Sequence, residues 1–145
     1  MGPVNAGRRR RLSGYVLDTT VVIDHVEDFR PASLVLAQVF EETGQIYTCD
    51  VVTCEALSGG GDEVIAARLR LLDALEYVAV APEGARWAGA QRRARRTVGK
   101  RAPGTADALI AALAHSLGAT VVTRNAKDFA AFDVPVLGYG DPALD

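Results

Sequence analysis

A chain of 145 residues with 49% hydrophobic content can bury one domain core and is too short for two ordinary domains. Its 16 Lys and Arg against 18 Asp and Glu leave a formal net charge of -2, which gives no overall pull toward nucleic acid or an anionic membrane, so a polyanion has to be held by a local patch. Aromatic residues make up only 6%, which argues against the base-stacking platforms of sheet-type RNA binders.

Residues 1–13 contain the run Arg8 to Arg11 and read as a basic N-terminal extension, with a single domain expected over residues 14–141. The apolar stretch that follows is interrupted by Asp18, too early for a secretory signal or a membrane span, so a cytoplasmic, membrane-free protein is expected. From there short apolar strands alternate with longer helical patterns. Strands are expected over residues 14–17, 45–49, 77–80, 120–123 and, less marked, 134–137. Helices are expected over 20–26, 32–43, 51–57, 63–75, 83–98 and 105–117, with Gly44, Gly99 and Gly118 as stops and Pro31, Pro82 and Pro103 as starts or breaks. This order predicts an α/β fold, a parallel sheet of four to five strands flanked by helices. Cys49 and Cys54 have no second pair or finger-spaced histidine and read as reduced, buried thiols; His25 and His115 stand alone.

In open parallel sheets ligands bind beyond the carboxyl ends of the strands, where strand order reverses. Asp18, in YVLDTTVVID, sits at that edge, although an aspartate between strand and helix is also an ordinary N-cap. Glu55 follows the second strand in an apolar helical stretch, Asp107 falls in the first turn of a helix with Thr105 as the expected N-cap, and Asp128 follows the fourth strand beside Asn125. Each has a bland explanation alone. Together, acids placed after separate strands of one sheet point to a shared acidic pocket.

Two carboxylates about 4 Å apart repel by roughly 4 kcal/mol at an effective dielectric near 20, so such a cluster needs protons or a cation. All-oxygen ligands suit Mg²⁺ or Mn²⁺, and that chemistry points to phosphodiester hydrolysis. The segment ARWAGAQRRARRTVGKR offers phosphate contacts through Arg86, Arg92, Arg93, Arg95, Arg96, Lys100 and Arg101, with Trp87, Ala90, Ala94 and Val98 free to face inward; Arg124, after the fourth strand, is a further candidate.

The pieces LDTTVVID, VVTCEAL and TADALIAALAHSLGATVVTRNAKDF, in this order and spacing, make the chain resemble the PIN-domain ribonucleases, and within them the VapC toxins of bacterial toxin-antitoxin pairs. That resemblance implies a Rossmann-like PIN fold and a Mg²⁺- or Mn²⁺-dependent endoribonuclease acting on structured RNA such as tRNA or rRNA. It further implies a homodimer, neutralised by a small VapB-type antitoxin. By position it implies Asp18 and Asp107 as principal metal ligands, Glu55 as the third acid, Thr20 as the group that orients Asp18, and Thr123 as support at the rim. Where many relatives carry an aspartate directly after the Thr-Arg pair, this chain has Asn125, with its acid displaced to Asp128, read as an outer carboxylate. A catalytically weak PIN-like module that binds RNA or a partner is the alternative. The chain lacks the second acid of a haloacid-dehalogenase-type phosphatase, the G-x-G-x-x-G of a dinucleotide binder, and the Lys of a P-loop after GGGD.

Overall fold

The protein is described here by a computed structural model covering residues 14–42 and 44–140; the expected basic extension, residue 43 and residue 141 lie outside the described residues. In chain order the elements are β1 (Tyr15–Leu17), α1 (Thr19–Val26), α2 (Arg30–Glu42), β2 (Ile46–Thr48), α3 (Asp50–Ala56), α4 (Asp62–Asp73), β3 (Glu76–Tyr77), α5 (Pro82–Thr97), α6 (Thr105–Leu117), β4 (Thr120–Thr123), α7 (Ala126–Phe129) and β5 (Val136–Gly138). The strands form one parallel sheet in the order β3-β2-β1-β4-β5, which matches the expected α/β architecture.

The apolar runs explain why β1 and β4 lie at the centre. Val16, Leu17, Val121 and Val122 are fully buried, as strands covered by helices on both faces must be. Burying each such side chain contributes about 1.5–3 kcal/mol. The alanine-rich α6 packs against them with Ala108, Ile110, Ala111 and Ala114 fully buried, and its alanines are small enough to let the helix approach the sheet closely. Gly118 ends α6 at φ 63, a left-handed cap that only a residue without Cβ adopts freely, in agreement with the expected stop.

The chain runs outward from β1 to β2 and β3, then returns to place β4 on the other side of β1, in register Leu17↔Val122. The point where strand order reverses therefore lies between the carboxyl ends of β1 and β4. Those ends are Asp18 and Thr123.

Three elements differ from expectation. β3 is Glu76–Tyr77 rather than 77–80, because pairing with β2 stops after Val78 N-H donates to the Thr48 carbonyl at 2.9 Å and Pro82 soon opens α5. β5 begins at Val136 rather than 134, since Pro135 has no N-H for the ladder and contributes only its carbonyl, which accepts from Val121 at 2.9 Å. The single-turn helix α7 was not expected; four residues are too few to show a helical period.

Candidate active site

Asp18 occupies the N-cap position of α1 with extended backbone, yet its side chain makes no capping bond. Its Oδ2 instead accepts the Thr20 hydroxyl at 2.9 Å and the Thr123 hydroxyl at 2.8 Å. The direction of both bonds is set by the backbone. The Arg124 N-H donates to Thr20 Oγ1 at 3.2 Å and the Asn125 N-H donates to Thr123 Oγ1 at 3.0 Å, so each hydroxyl has its own proton free for the carboxylate. Asp18 is only 4% exposed. Burial pushes its carboxyl above the ordinary range, opposed by the two threonine hydroxyls and the Thr19 N-H, while the charge of Glu55 pushes it further up.

Glu55 reaches the same rim from α3, directly after β2. Although exposed to solvent, it is fixed by the Thr19 hydroxyl, which donates to Oε1 at 2.6 Å. Thr19 itself is buried, so consecutive residues of α1 hold two carboxylates: residue 18 is one of them and residue 19 grips the other.

Asp107 lies in the first turn of α6, whose N-cap is Gly104 rather than the expected Thr105. Its carboxyl is pushed up to about 6, first by burial and then by the charges of Asp18, Asp128 and Glu55. Asp128, exposed on α7, lines the same cleft as Asp107. Asp107 thus feels all three other acids, which reach it from the ends of β1, β2 and β4. Their hard oxygen donors suit a divalent cation that would relieve this accumulated charge, with Asp18, Asp107 and Glu55 as the holders. As they stand, no three Asp, Glu, His or Cys side chains among the described residues close to chelating geometry.

The cleft beside Asp107 and Asp128 has a volume of about 430 Å³ and is also lined by Arg92, Arg95, Arg101 and Lys127. Of the residues expected to contact RNA, Arg92 spends its Nε on the Pro103 carbonyl at 2.8 Å, Arg101 faces the cleft, and Arg93, Arg96 and Lys100 are exposed outside its lining. Arg124, the further candidate, does not line this cleft. Its guanidinium lies 4.2 Å over the Phe29 ring and 3.6 Å from Asp24 Oδ2, a position held by the aromatic face and the buried carboxylate.

Other expectations also change. Ala94 and Val98 do not face inward; Val98, just past the end of α5, is 66% exposed, while Ala88 and Trp87 make the inward contacts. His115 is exposed and stacks on Trp87 with centroids 4.7 Å apart, and Cys54 is exposed where Cys49 is buried.

Sequence reasoning passed over Thr19, Asp24 and Tyr139. The Tyr139 hydroxyl donates to Asp24 Oδ2 at 2.9 Å, and burial and that bond raise its pKa well above the ordinary phenol range. A signal existed for Asp24, an acid inside the apolar run TTVVID; Tyr139 carried none, since its partner is 115 residues away.

Comparison with known proteins places these features in a family. Residues 15–135 match the family model described as PIN domain. Over 117 residues the chain is 29% identical to Ribonuclease VapC19 of Mycobacterium tuberculosis, covering 81% of this chain and 93% of the relative. Among solved structures, VapBC-5 of Mycobacterium tuberculosis, a member of the VapBC family of toxin-antitoxin systems, is similar at 26% identity with a TM-score of 0.62, over 87% of this chain and 98% of that one. VapBC2 of Rickettsia felis, bound to a promoter DNA fragment, has a TM-score of 0.72 at 20% identity, over 87% of this chain and 98% of that one, a likeness of fold.

Proposed function

The chain belongs to the PIN-domain family, and on that premise we propose that it is a divalent-metal-dependent endoribonuclease of the VapC type that cuts structured RNA such as tRNA or rRNA. The observation that carries this reading is Asp18, buried at the strand-order switch, declining its N-cap role and held by Thr20 and Thr123 beside Asp107, whose carboxyl senses every other acid of the group. Capping alone would leave those hydroxyls without purpose.

A bound Mg²⁺ or Mn²⁺ would neutralise charge on the scissile phosphate and make a water more acidic. The chain's own residues do the rest. Thr20 and Thr123 fix Asp18, Thr19 fixes Glu55, and the carboxylates of Asp107 and Glu55 stand at the rim to take a proton from the attacking water. In-line attack by water breaks the P–O3′ bond; the water's oxygen stays on phosphorus, one of its protons passes to Asp107 or Glu55, and the leaving oxygen ends protonated. The products carry a 5′-phosphate and a 3′-hydroxyl.

A VapB-type antitoxin as neutralising partner and a homodimeric assembly, in a cytoplasmic setting, complete the reading. The similarity to VapC19 and to VapBC-5 supports the toxin-antitoxin role, and no helix among the described residues is long and apolar enough to cross a membrane. Purified protein incubated with total bacterial RNA in Mg²⁺, Mn²⁺ or EDTA tests the proposal: discrete fragments that require metal support it, whereas RNA affinity without cleavage from folded, inhibitor-free protein turns the reading to a binding module.

A further inference from the structure

We propose that Arg95 and Arg101 form the clamp that grips the RNA phosphate next to the acids, and that the other arginines of the basic helix lie off this contact; the inference rests on the ribonuclease reading. α5 and the residues after it offer a broad arc of cations that sequence alone cannot rank. The fold ranks them. Arg92 and Arg95 are three apart and therefore share a face of α5, and this face, with Arg101, forms a basic wall of the cleft that Asp107 and Asp128 also line.

Three observations single out Arg95 and Arg101 within that wall. Arg92 is already committed, its Nε donating to the Pro103 carbonyl at 2.8 Å, so its guanidinium braces the 101–103 segment. Arg95 Nε is buried without a hydrogen-bond partner among the described residues, so no contact within the fold already occupies that nitrogen as the Pro103 carbonyl occupies that of Arg92. Neither Arg95 nor Arg101 pairs with Asp107, Asp128 or any other acid within 4.0 Å among the described residues, although all four line one cleft.

Opposite charges that share a cleft without touching leave space for a body that is negative toward the arginines and is bridged to the carboxylates by a cation. A phosphodiester with its divalent counter-ion has this character. Its non-bridging oxygens accept two N-H bonds from a guanidinium fork, a geometry that lysine does not reproduce. The volume of about 430 Å³ lies within the ordinary range of ligand pockets.

The test measures affinity for a fluorescein-labelled RNA hairpin of mixed sequence in EDTA, where nothing is cut, across a series of salt concentrations. Arg95→Ala, Arg95→Lys and Arg101→Ala are compared with Arg70→Ala, which removes the same charge from an exposed position on α4 lining a different groove. Circular dichroism confirms that each variant is folded, and Arg101→Ala keeps the test open should Arg95→Ala fail to fold. The expected result is a loss of about fivefold to tenfold in affinity for Arg95→Ala and Arg101→Ala, with the slope of log affinity against log salt reduced by about 0.7–1 in each. Arg95→Lys recovers the slope but only part of the affinity, and Arg70→Ala leaves both unchanged. Equal affinities and slopes for Arg95→Ala, Arg101→Ala and Arg70→Ala, with wild type binding the hairpin, would overturn the clamp while leaving the ribonuclease reading standing. Failure of wild type to bind or cut any RNA would overturn both.

Discussion

The Thr123 hydroxyl donates to Asp18 Oδ2 at 2.8 Å across 105 residues of sequence, joining the ends of the two central strands. The bond lies where β1 and β4 meet at the switch in strand order, and Thr123 is fully buried. Thr123→Val keeps the shape but removes a donor to a buried carboxylate and the acceptor of the Asn125 N-H. A loss of about 1–3 kcal/mol of stability at neutral pH is expected, read by urea unfolding. The Asp18 carboxyl should also move further up, so the loss should shrink under acid conditions.

Asp107 sets a pH dependence. Its carboxyl is raised from 3.8 to about 6 in the folded protein. Between those values the folded chain holds a proton that the unfolded chain has lost, so metal-free stability is greatest at low pH in this window and falls as pH rises through about 6. Asp107→Asn removes the penalty. At pH 7 without metal it should be more stable than wild type by on the order of 1 kcal/mol, after discounting for solvent screening at a half-buried site. Thermal unfolding at pH 5 and pH 7.5, with and without Mg²⁺, checks the sign: the gain should be roughly halved at pH 5, and at pH 7.5 Mg²⁺ should raise the melting temperature of wild type more than that of the variant.

Thr19→Val should release Glu55. Its hydroxyl is the donor to Glu55 Oε1 at 2.6 Å, while the carboxylate is otherwise exposed. A positioning role predicts a fall in kcat of about tenfold to a hundredfold with KM for RNA little changed, and a weaker response to Mn²⁺ in a melting assay. Loss of stability alone, with kcat preserved, would assign the bond to packing.

Arg68, on α4, tests the frame that carries Glu55. It is 7% exposed and donates through Nη1 to the Ala56 carbonyl at 2.9 Å and the Gly59 carbonyl at 2.7 Å, closing the end of α3 and the glycine-rich turn after it. Arg68→Met fills the space but leaves both carbonyls unpaired, at an expected cost of about 2–4 kcal/mol by denaturant unfolding.

The features legible in the sequence were those with a local physical signature. Apolar runs buried on both faces announced β1 and β4, and Gly118 announced the end of α6. Asp18, Glu55 and Asp128 were legible because a parallel sheet brings the residues after its strands to one rim, and Asp107 because the N-terminus of the helix that leads into β4 lies at that same rim. Partnerships between distant residues were not legible: Thr19 with Glu55 spans 36 residues and Tyr139 with Asp24 spans 115, and neither pair has a periodicity or spacing to betray it. The contacts of Arg124 were hidden for the same reason, since a cation after a strand gives no sign that it lies over Phe29. On α5 the helical period predicted an inward Val98, but a period shows only which residues share a face and not whether anything covers it.

The most direct test of the central claim is to incubate wild type and Asp18→Asn with total bacterial RNA in Mg²⁺ and in EDTA and map every new 5′-phosphate end by sequencing. The account predicts discrete ends with wild type in Mg²⁺, none in EDTA, and a loss of at least about a hundredfold with Asp18→Asn although that variant melts at or above the wild-type temperature. Cleavage by Asp18→Asn at the wild-type rate, or ends that persist in EDTA, would contradict it.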